Sequence, residues 1–181
     1  MTKQQLPDRS HRSQPSPLLK KFANTILNAA SGSPIVDVAC GAGRNAFYLA
    51  QLGCKVICID RDLSRLKDRW SDGEISKHLT LMEMDLIADP WPFGERTIGG
   101  IVLVDFLDRS LFQFFERSLI VGGYLLVETI SNRGGNYLEL PRAGELRKAF
   151  ERSLEFCLYK EREAGPRRID AVTVRMLGKR R

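Results

Sequence analysis

Long hydrophobic runs and histidines are scarce in this chain of 181 residues. No stretch approaches the roughly 18 consecutive apolar residues of a membrane helix, and the charged start is not followed by a signal-peptide core. We therefore expect a soluble, cytoplasmic protein that has no membrane partner. The two histidines, His11 and His78, are isolated in the sequence and predict surface positions rather than a catalytic pair.

Cysteine is also rare: the chain has four, in apolar surroundings. These are too few to indicate a disulfide framework. Cys54 and Cys58 have a spacing that a metal site could use. On a buried strand, however, they point the same way as Val56, into the packing. We predict reduced, buried thiols and no metal site.

The length of the chain fits one domain, and its 43% hydrophobic content is enough for a substantial core. Residues 1–17 are polar and contain three prolines, so we predict a flexible arm followed by a single domain over residues 18–181. The net charge of +6 is concentrated at the ends. Such ends are typical of solvated tails, although they could also contact nucleic acid.

Hydrophobic periodicity predicts an alternation of helices and strands. The final two predicted strands are joined by Ala164-Gly165-Pro166, which leaves no room for a crossover helix, so they form an antiparallel hairpin. The alternation before them predicts an α/β fold with a parallel sheet covered on both faces. The predicted strands are 35–39, 55–59, 79–84, 98–104, 124–128, 154–161 and 169–177, and the helices are 18–30, 44–52, 62–70, 111–119 and 144–150.

A G-x-G-x-x-A sequence, residues 41–46, follows the first predicted strand. Glycines in such a turn let the backbone pass close to a ligand, and the helix that follows offers free N–H groups. Asp60 ends the second strand, where its carboxylate can accept hydrogen bonds from ribose hydroxyls. The pattern predicts a nucleoside site, although nicotinamide and flavin enzymes use the same turn.

Three further features favour S-adenosylmethionine over a dinucleotide. Asp37, four residues before Gly41, can hold the loop and face the amino-acid part of the ligand. Asp85 follows the third strand and can accept a hydrogen bond from an adenine amino group, with Leu86 supplying a backbone contact. The terminal hairpin completes a seven-stranded sheet.

With these residues in place, the segment from Val36 to Asp60 resembles the first two motifs of the class I methyltransferases. Val104-Asp105 and Gly122-Gly123 fall where later motifs of that family lie. Residues 40–46, 106–112 and 138–146 are similar to the small tellurite-resistance-type methyltransferases. That group often has histidine and proline where this chain has Asp108 and Ser110.

The resemblance implies a Rossmann-like fold with strand order 3-2-1-4-5-7-6 and a ligand site between strands 1 and 4. It implies an S-adenosylmethionine-dependent methyltransferase that acts on a small molecule by in-line transfer, for which a catalytic base is optional. No catalytic residue is singled out. The predicted cofactor-binding residues are Asp37, Ala39, Gly41, Gly43, Arg44, Asn45, Asp60, Arg61, Asp85, Leu86, Val104 and Asp105. The candidates for the acceptor pocket are Phe106, Arg109, Glu128, Asn136 and Tyr137.

Two other functions remain open from the residues alone. An NAD(P)-binding oxidoreductase would need a second nucleotide-binding half, for which the chain has little room. A noncatalytic nucleotide- or RNA-binding module would use the basic ends. The loop at residues 104–107 lacks the Asn/Asp-Pro-Pro-aromatic box of amino-group nucleic-acid methyltransferases. The oligomeric state is not indicated, and residues 1–17 could order over the bound cofactor as a lid.

Overall fold

Seven strands form one sheet in a computed structural model, which describes residues 14–69, 73–129, 140–164 and 170–181. The sheet is flanked by five α-helices within these ranges. The strands are β1 (Ile35–Val38), β2 (Val56–Asp60), β3 (Leu79–Glu83), β4 (Ile98–Val104), β5 (Leu119–Glu128), β6 (Leu154–Ala164) and β7 (Ala171–Arg180). The helices are α1 (Pro17–Ala30), α2 (Arg44–Gln51), α3 (Ser64–Lys67), α4 (Phe112–Ser118) and α5 (Glu145–Phe150).

The strand order is β3-β2-β1-β4-β5-β7-β6, which confirms the order that the resemblance implies. Strands β1 to β5 are parallel to their neighbours, and β7 pairs antiparallel with both β5 and β6. The predicted α/β class and the terminal hairpin are therefore confirmed. From β1, successive strands are added first on one side (β2, β3) and then on the other (β4, β5). At this switch point the carboxyl ends of β1 and β4 border a crevice.

Helix α1 begins one residue earlier than the periodicity predicts. Ser16 caps it by accepting a hydrogen bond from the Leu19 N–H, and Pro17 occupies the first turn, where its missing N–H costs nothing. The helix packs closely on β4 because that strand begins with a glycine pair. A Cβ atom on Gly100 would lie 2.7 Å from the Ile26 side chain, so a larger residue there would displace α1 from the sheet.

The two faces of the sheet carry separate hydrophobic cores. Helices α1, α2 and α3 cover one face, where Leu19, Ile26 and Leu49 are fully buried. Helices α4 and α5 cover the other, where Phe115 and Phe150 are the largest buried side chains. Both faces are covered, as the near-continuous apolar strands β1 and β4 require.

Some element boundaries differ from the prediction. Strand β5 begins at Leu119 rather than Tyr124, because Gly122 adopts a φ of +83° inside the strand and shifts its register instead of ending a turn. Helix α3 is a single turn. Its predicted end, Trp70, lies outside the described residues, as do residues 1–13 of the predicted arm.

The prediction of buried thiols is right for three cysteines and wrong for Cys157. That residue lies on the solvent-facing side of β6, an edge strand with an alternating burial pattern, and its thiol is exposed. None of the helices in the described parts of the chain has the length and apolar character that crossing a lipid bilayer requires.

Candidate active site

The glycine-rich turn connects β1 to α2 at the carboxyl edge of the sheet. Gly43 caps α2 with a φ of +73°, and a Cβ atom there would lie 2.9 Å from the Leu66 side chain. Gly41 also has a positive φ, +55°, but no atom lies within 4 Å of where its Cβ would be. The backbone at Gly41 therefore borders open space that a ligand can occupy. Ala39, at the start of the turn, is held at a φ of +52°.

Asp60 lies at the end of β2, and its carboxylate holds the turn directly. Its Oδ2 accepts a hydrogen bond of 2.7 Å from the Gly41 N–H, and its Oδ1 accepts one of 3.1 Å from the Asp62 N–H. An ionised carboxylate offers about four lone-pair directions, so two remain for hydroxyl donors. Two residues 19 apart in sequence are thus brought together at one edge of the sheet, with Arg61 exposed beside them.

Asp37 is buried in β1 beneath the turn and accepts a hydrogen bond of 3.0 Å from the Ala46 N–H in the first turn of α2. Burial raises the pKa of this carboxyl to about 7, against the opposing effects of the Ala46 hydrogen bond and the Arg44 charge. The Asn45 side chain also acts to lower the pKa of Asp37. Asp37 therefore ties β1 to the start of α2, and its predicted contact with the cofactor stays a prediction.

Arg44, at the start of α2, pairs with Asp105, the residue that follows β4, across the crevice. The guanidinium Nη2 lies 3.1 Å from Asp105 Oδ2. Asp105 follows Val104 with a φ of +62°, a conformation that costs energy for a residue with a side chain. Its N–H donates to the Glu128 carbonyl oxygen at 3.0 Å, which ties β4 to β5 at this edge.

Asp85 lies in the turn after β3, next in line along the same edge. Its carboxylate is exposed, and one oxygen accepts a hydrogen bond of 3.0 Å from the Ile87 N–H. The side chain of Leu86 is buried in the core on the α4 side of the sheet. A backbone contact from Leu86 to the cofactor stays a prediction.

A buried polar network joins α1 and α2 to the end of β5, and the sequence analysis missed its central residue. Ser16 is fully buried: its hydroxyl donates to Glu128 Oε2, and its N–H donates to Asn45 Oδ1 at 2.9 Å. Glu128 is buried too, and its Oε1 lies 2.8 Å from Arg175 Nε in an ion pair not aligned as a hydrogen bond. The Ser16-Pro17 dipeptide, a helix-start signature, was the available signal.

The residues predicted to line the acceptor pocket differ in their burial and in their bonding partners. Arg109 forms a two-pronged ion pair with Glu145 at the start of α5, which raises the pKa of the guanidinium and restrains its position. Phe106 is half-buried beyond the end of β4 and packs against the core on the α4 side of the sheet, whereas Glu128 pairs with Val104 at the end of that strand. Asn136 and Tyr137 lie outside the described residues.

The described residues along this edge form a cradle that fits an adenosyl ligand. Such a ligand needs space, which is open above Gly41. It needs acceptors, which are the carboxylates that follow or end β2 and β3, and donors, which are the N–H groups at the start of α2. Within the described residues, no group of three or more His, Cys, Asp or Glu side chains could hold a metal ion.

Comparison with known proteins identifies the family of this fold. The model of a methyltransferase domain matches residues 36–127, about half of the chain, and it begins at the strand that carries Asp37. No curated protein matches the sequence significantly.

Solved structures share the fold at low sequence identity. A S-adenosylmethionine-dependent methyltransferase from Mesorhizobium loti has a TM-score of 0.66 and 16% identity, with 91% of this chain and 99% of that chain covered. TehB from Haemophilus influenzae has a TM-score of 0.61 and 20% identity. That match covers 91% of this chain but 66% of TehB, just under two thirds of its length.

A third structure was solved with two bound ligands. It is the 1,6-didemethyltoxoflavin-N1-methyltransferase of Burkholderia thailandensis, with bound 1,6-didemethyltoxoflavin and S-adenosylhomocysteine. Its TM-score is 0.56 and its identity 11%, with 91% of this chain and 78% of that chain covered.

Proposed function

Because the chain belongs to the methyltransferase domain family and is an S-adenosylmethionine-dependent methyltransferase, we propose that it methylates a small-molecule acceptor at the carboxyl edge of β4 and β5. The observation that carries the proposal is the hydrogen bond between Asp60 and the Gly41 N–H. It fixes a carboxylate beside an open stretch of glycine backbone, where an adenosyl group fits. The family match favours this function over the NAD(P)-dependent oxidoreductase that the glycine pattern alone leaves open.

In the proposed binding mode, different residues of the cradle bind different parts of S-adenosylmethionine, the methyl donor. Asp60 accepts from the ribose hydroxyls, and Asp85 accepts from the adenine amino group. When bound, S-adenosylmethionine supplies a methyl group activated by a sulfonium, and S-adenosylhomocysteine is the product. Asp37 keeps α2 in place against β1 and faces the ammonium group in the amino-acid part of the donor, which favours the ionised form of the Asp37 carboxyl.

The protein's contribution to transfer is alignment. Methyl transfer from a sulfonium is an in-line displacement, so the acceptor has to approach from the side opposite the sulfur. In our proposal, Phe106 and Glu128 border this approach and Arg109 flanks it, with Asn136 and Tyr137 as further candidates. The Arg44–Asp105 pair separates the glycine turn from the end of β4 and so fixes the distance between donor and acceptor.

Two observations support a small acceptor. The methyltransferase from Burkholderia thailandensis, whose fold is similar, holds a small heterocycle beside S-adenosylhomocysteine. The loop after β4 lacks the proline-containing box with which amino-group nucleic-acid methyltransferases hold an extruded base. A soft or already ionised nucleophile fits a pocket in which no acid–base pair is evident among the described residues.

A methyl-transfer screen tests the proposal. The purified full chain is incubated with S-adenosylmethionine and separate pools of thiols, oxyanions, small amines and RNA, and S-adenosylhomocysteine is quantified. The Asp60→Ala variant, purified in parallel, controls for contaminating activity. We expect turnover with at least one small-molecule pool and loss of that turnover in the variant. Turnover confined to RNA would overturn the small-molecule proposal.

A further inference from the structure

A groove of about 290 Å³ lies beside the glycine-rich turn and shares only Arg44 with the predicted cofactor residues. Its walls come from the residues before α1, from α1 itself, from α2 and from the turn after α3. The volume is close to that of small-ligand pockets, which begin at about 300 Å³. The groove is therefore at the lower limit of the size range for a small-molecule ligand.

Three cations from three separate elements line this groove: Lys20 of α1, Arg44 of α2, and Arg69 after α3. None of its described lining residues is acidic. The Arg44 guanidinium pairs with Asp105 at the crevice side, while Lys20 Nζ contacts only a neutral amide oxygen, of Gln14 at 3.4 Å, among the bonds found in the described residues. The groove is thus electropositive and suits an anion.

Two half-buried aromatic rings, Phe47 and Tyr48, complete the lining together with the polar side chain of Gln51. The Arg69 guanidinium lies 5.3 Å from the centre of the Phe47 ring, a cation–π contact that holds both side chains in place. Cations beside aromatic rings are the combination that binds a phosphate together with a base in single-stranded nucleic-acid sites.

Hydrogen bonds join the lining of the groove to the glycine-rich turn and to the residues before α1. An Arg69 N–H donates to the Ala42 carbonyl oxygen at 3.0 Å, and an Arg44 N–H reaches the Gln14 carbonyl oxygen at 3.5 Å. The sequence before Gln14 is basic as well, since residues 1–13 carry three basic side chains and one acidic one.

We propose that this groove is a second binding site, for a nucleoside phosphate, with the phosphate at Lys20 and the base against Tyr48. The ligand is either a free mononucleotide or one unit of an RNA strand, because both present the same base and phosphate. The site is separate from the proposed methyl-transfer site and shares only Arg44 with it. Binding here can therefore fail without affecting the screen described above.

Fluorescence anisotropy tests the proposal, with fluorescently labelled adenosine monophosphate and a labelled ten-nucleotide single-stranded RNA as probes. All measurements include saturating S-adenosylhomocysteine so that the cofactor site is filled. The Lys20→Glu variant reverses one charge in the groove. The matched control is Lys55→Glu, which changes another exposed lysine. Lys55 directly precedes β2 and so lies at the amino ends of the parallel strands, away from the groove.

We expect salt-sensitive binding that Lys20→Glu weakens about tenfold or more and Lys55→Glu by less than about twofold, since a charge in direct contact dominates over a distant, screened one. Unlabelled adenosine should compete far less well than adenosine monophosphate. Binding of the mononucleotide indicates a free ligand, and binding of the RNA alone indicates a strand. Absence of binding by both probes at low salt, or equal weakening by both variants, would overturn the proposal.

Discussion

The buried carboxyl of Asp37 should make the stability of this protein depend on pH near neutrality. Its pKa is raised by burial from the ordinary 3.8 to about 7. Between these two values the folded chain retains a proton that the unfolded chain releases. The free energy of unfolding therefore falls as the pH rises through this window. Asp37→Asn removes the titration and keeps both the shape and an oxygen that can accept from Ala46.

The size of the effect follows from the pKa difference. One pKa unit corresponds to about 1.4 kcal/mol, so Asp37 should lower the free energy of unfolding by roughly 3 kcal/mol between pH 5 and pH 8. Urea denaturation of both proteins, followed by tryptophan fluorescence at each pH, gives this quantity as the change in their stability difference. Subtracting the variant cancels the titration of every other group.

Asp62 supplies the matched control. It is exposed, and hydrogen bonds from Ser64 lower the pKa of its carboxyl, so its contribution to stability is lost only in acid, below the range measured. The stability difference between the wild type and Asp62→Asn should therefore stay flat from pH 5 to pH 8. A difference that is equally flat for Asp37→Asn would refute the assignment of a raised pKa to Asp37.

Three further changes test other parts of the structure. Ser16→Ala removes a helix cap and a buried partner of Glu128, and should lower the free energy of unfolding by about 2 to 3 kcal/mol in urea denaturation. Gly43→Ala should cost at least about 1 kcal/mol more than Gly53→Ala, because both have positive φ but only the Gly43 site is crowded. One thiol per native chain, that of Cys157, should react rapidly with a thiol reagent, and four should react after denaturation.

Each of these measurements has an outcome that contradicts the structure. A Ser16→Ala variant as stable as the wild type would mean that the buried network does not form. Equal stability of the two glycine variants would show that α3 does not pack against the turn. Rapid modification of several thiols in the native chain would contradict the burial of the other three cysteines.

The parts of the fold that sequence predicts best are those set by local pattern. Strand β4 is an unbroken apolar run, and its predicted bounds, residues 98–104, match the structure. Gly122-Gly123 shows the limit of local pattern. Local pattern predicts a strand only after this pair, over residues 124–128, yet the strand continues through the pair with a shifted register, because pairing with β4 begins at Leu119. The strand order itself came from family resemblance.

The contacts of the candidate site also differ in whether local sequence pattern predicts them. The contact between Gly41 and Asp60 follows from a spacing of 19 residues across one βα unit, so sequence alone could predict it. The bond from Ser16 to Glu128 joins residues 112 apart, and no periodicity relates them. It depends on α1 crossing β4 and β5, a placement that the glycine pair at the start of β4 permits and that only the folded structure reveals.

Calorimetric titration with S-adenosylhomocysteine tests the central claim most directly, namely that Asp60 and the glycine turn form the cofactor site. We expect one binding site per chain, and a ten- to hundredfold loss of affinity in Asp60→Ala, since a charged hydrogen-bonding group contributes about 1.5 to 3 kcal/mol. Asp62→Ala, two residues away and directed at α3, should bind as the wild type does. Unchanged affinity in a folded Asp60→Ala variant would contradict the account.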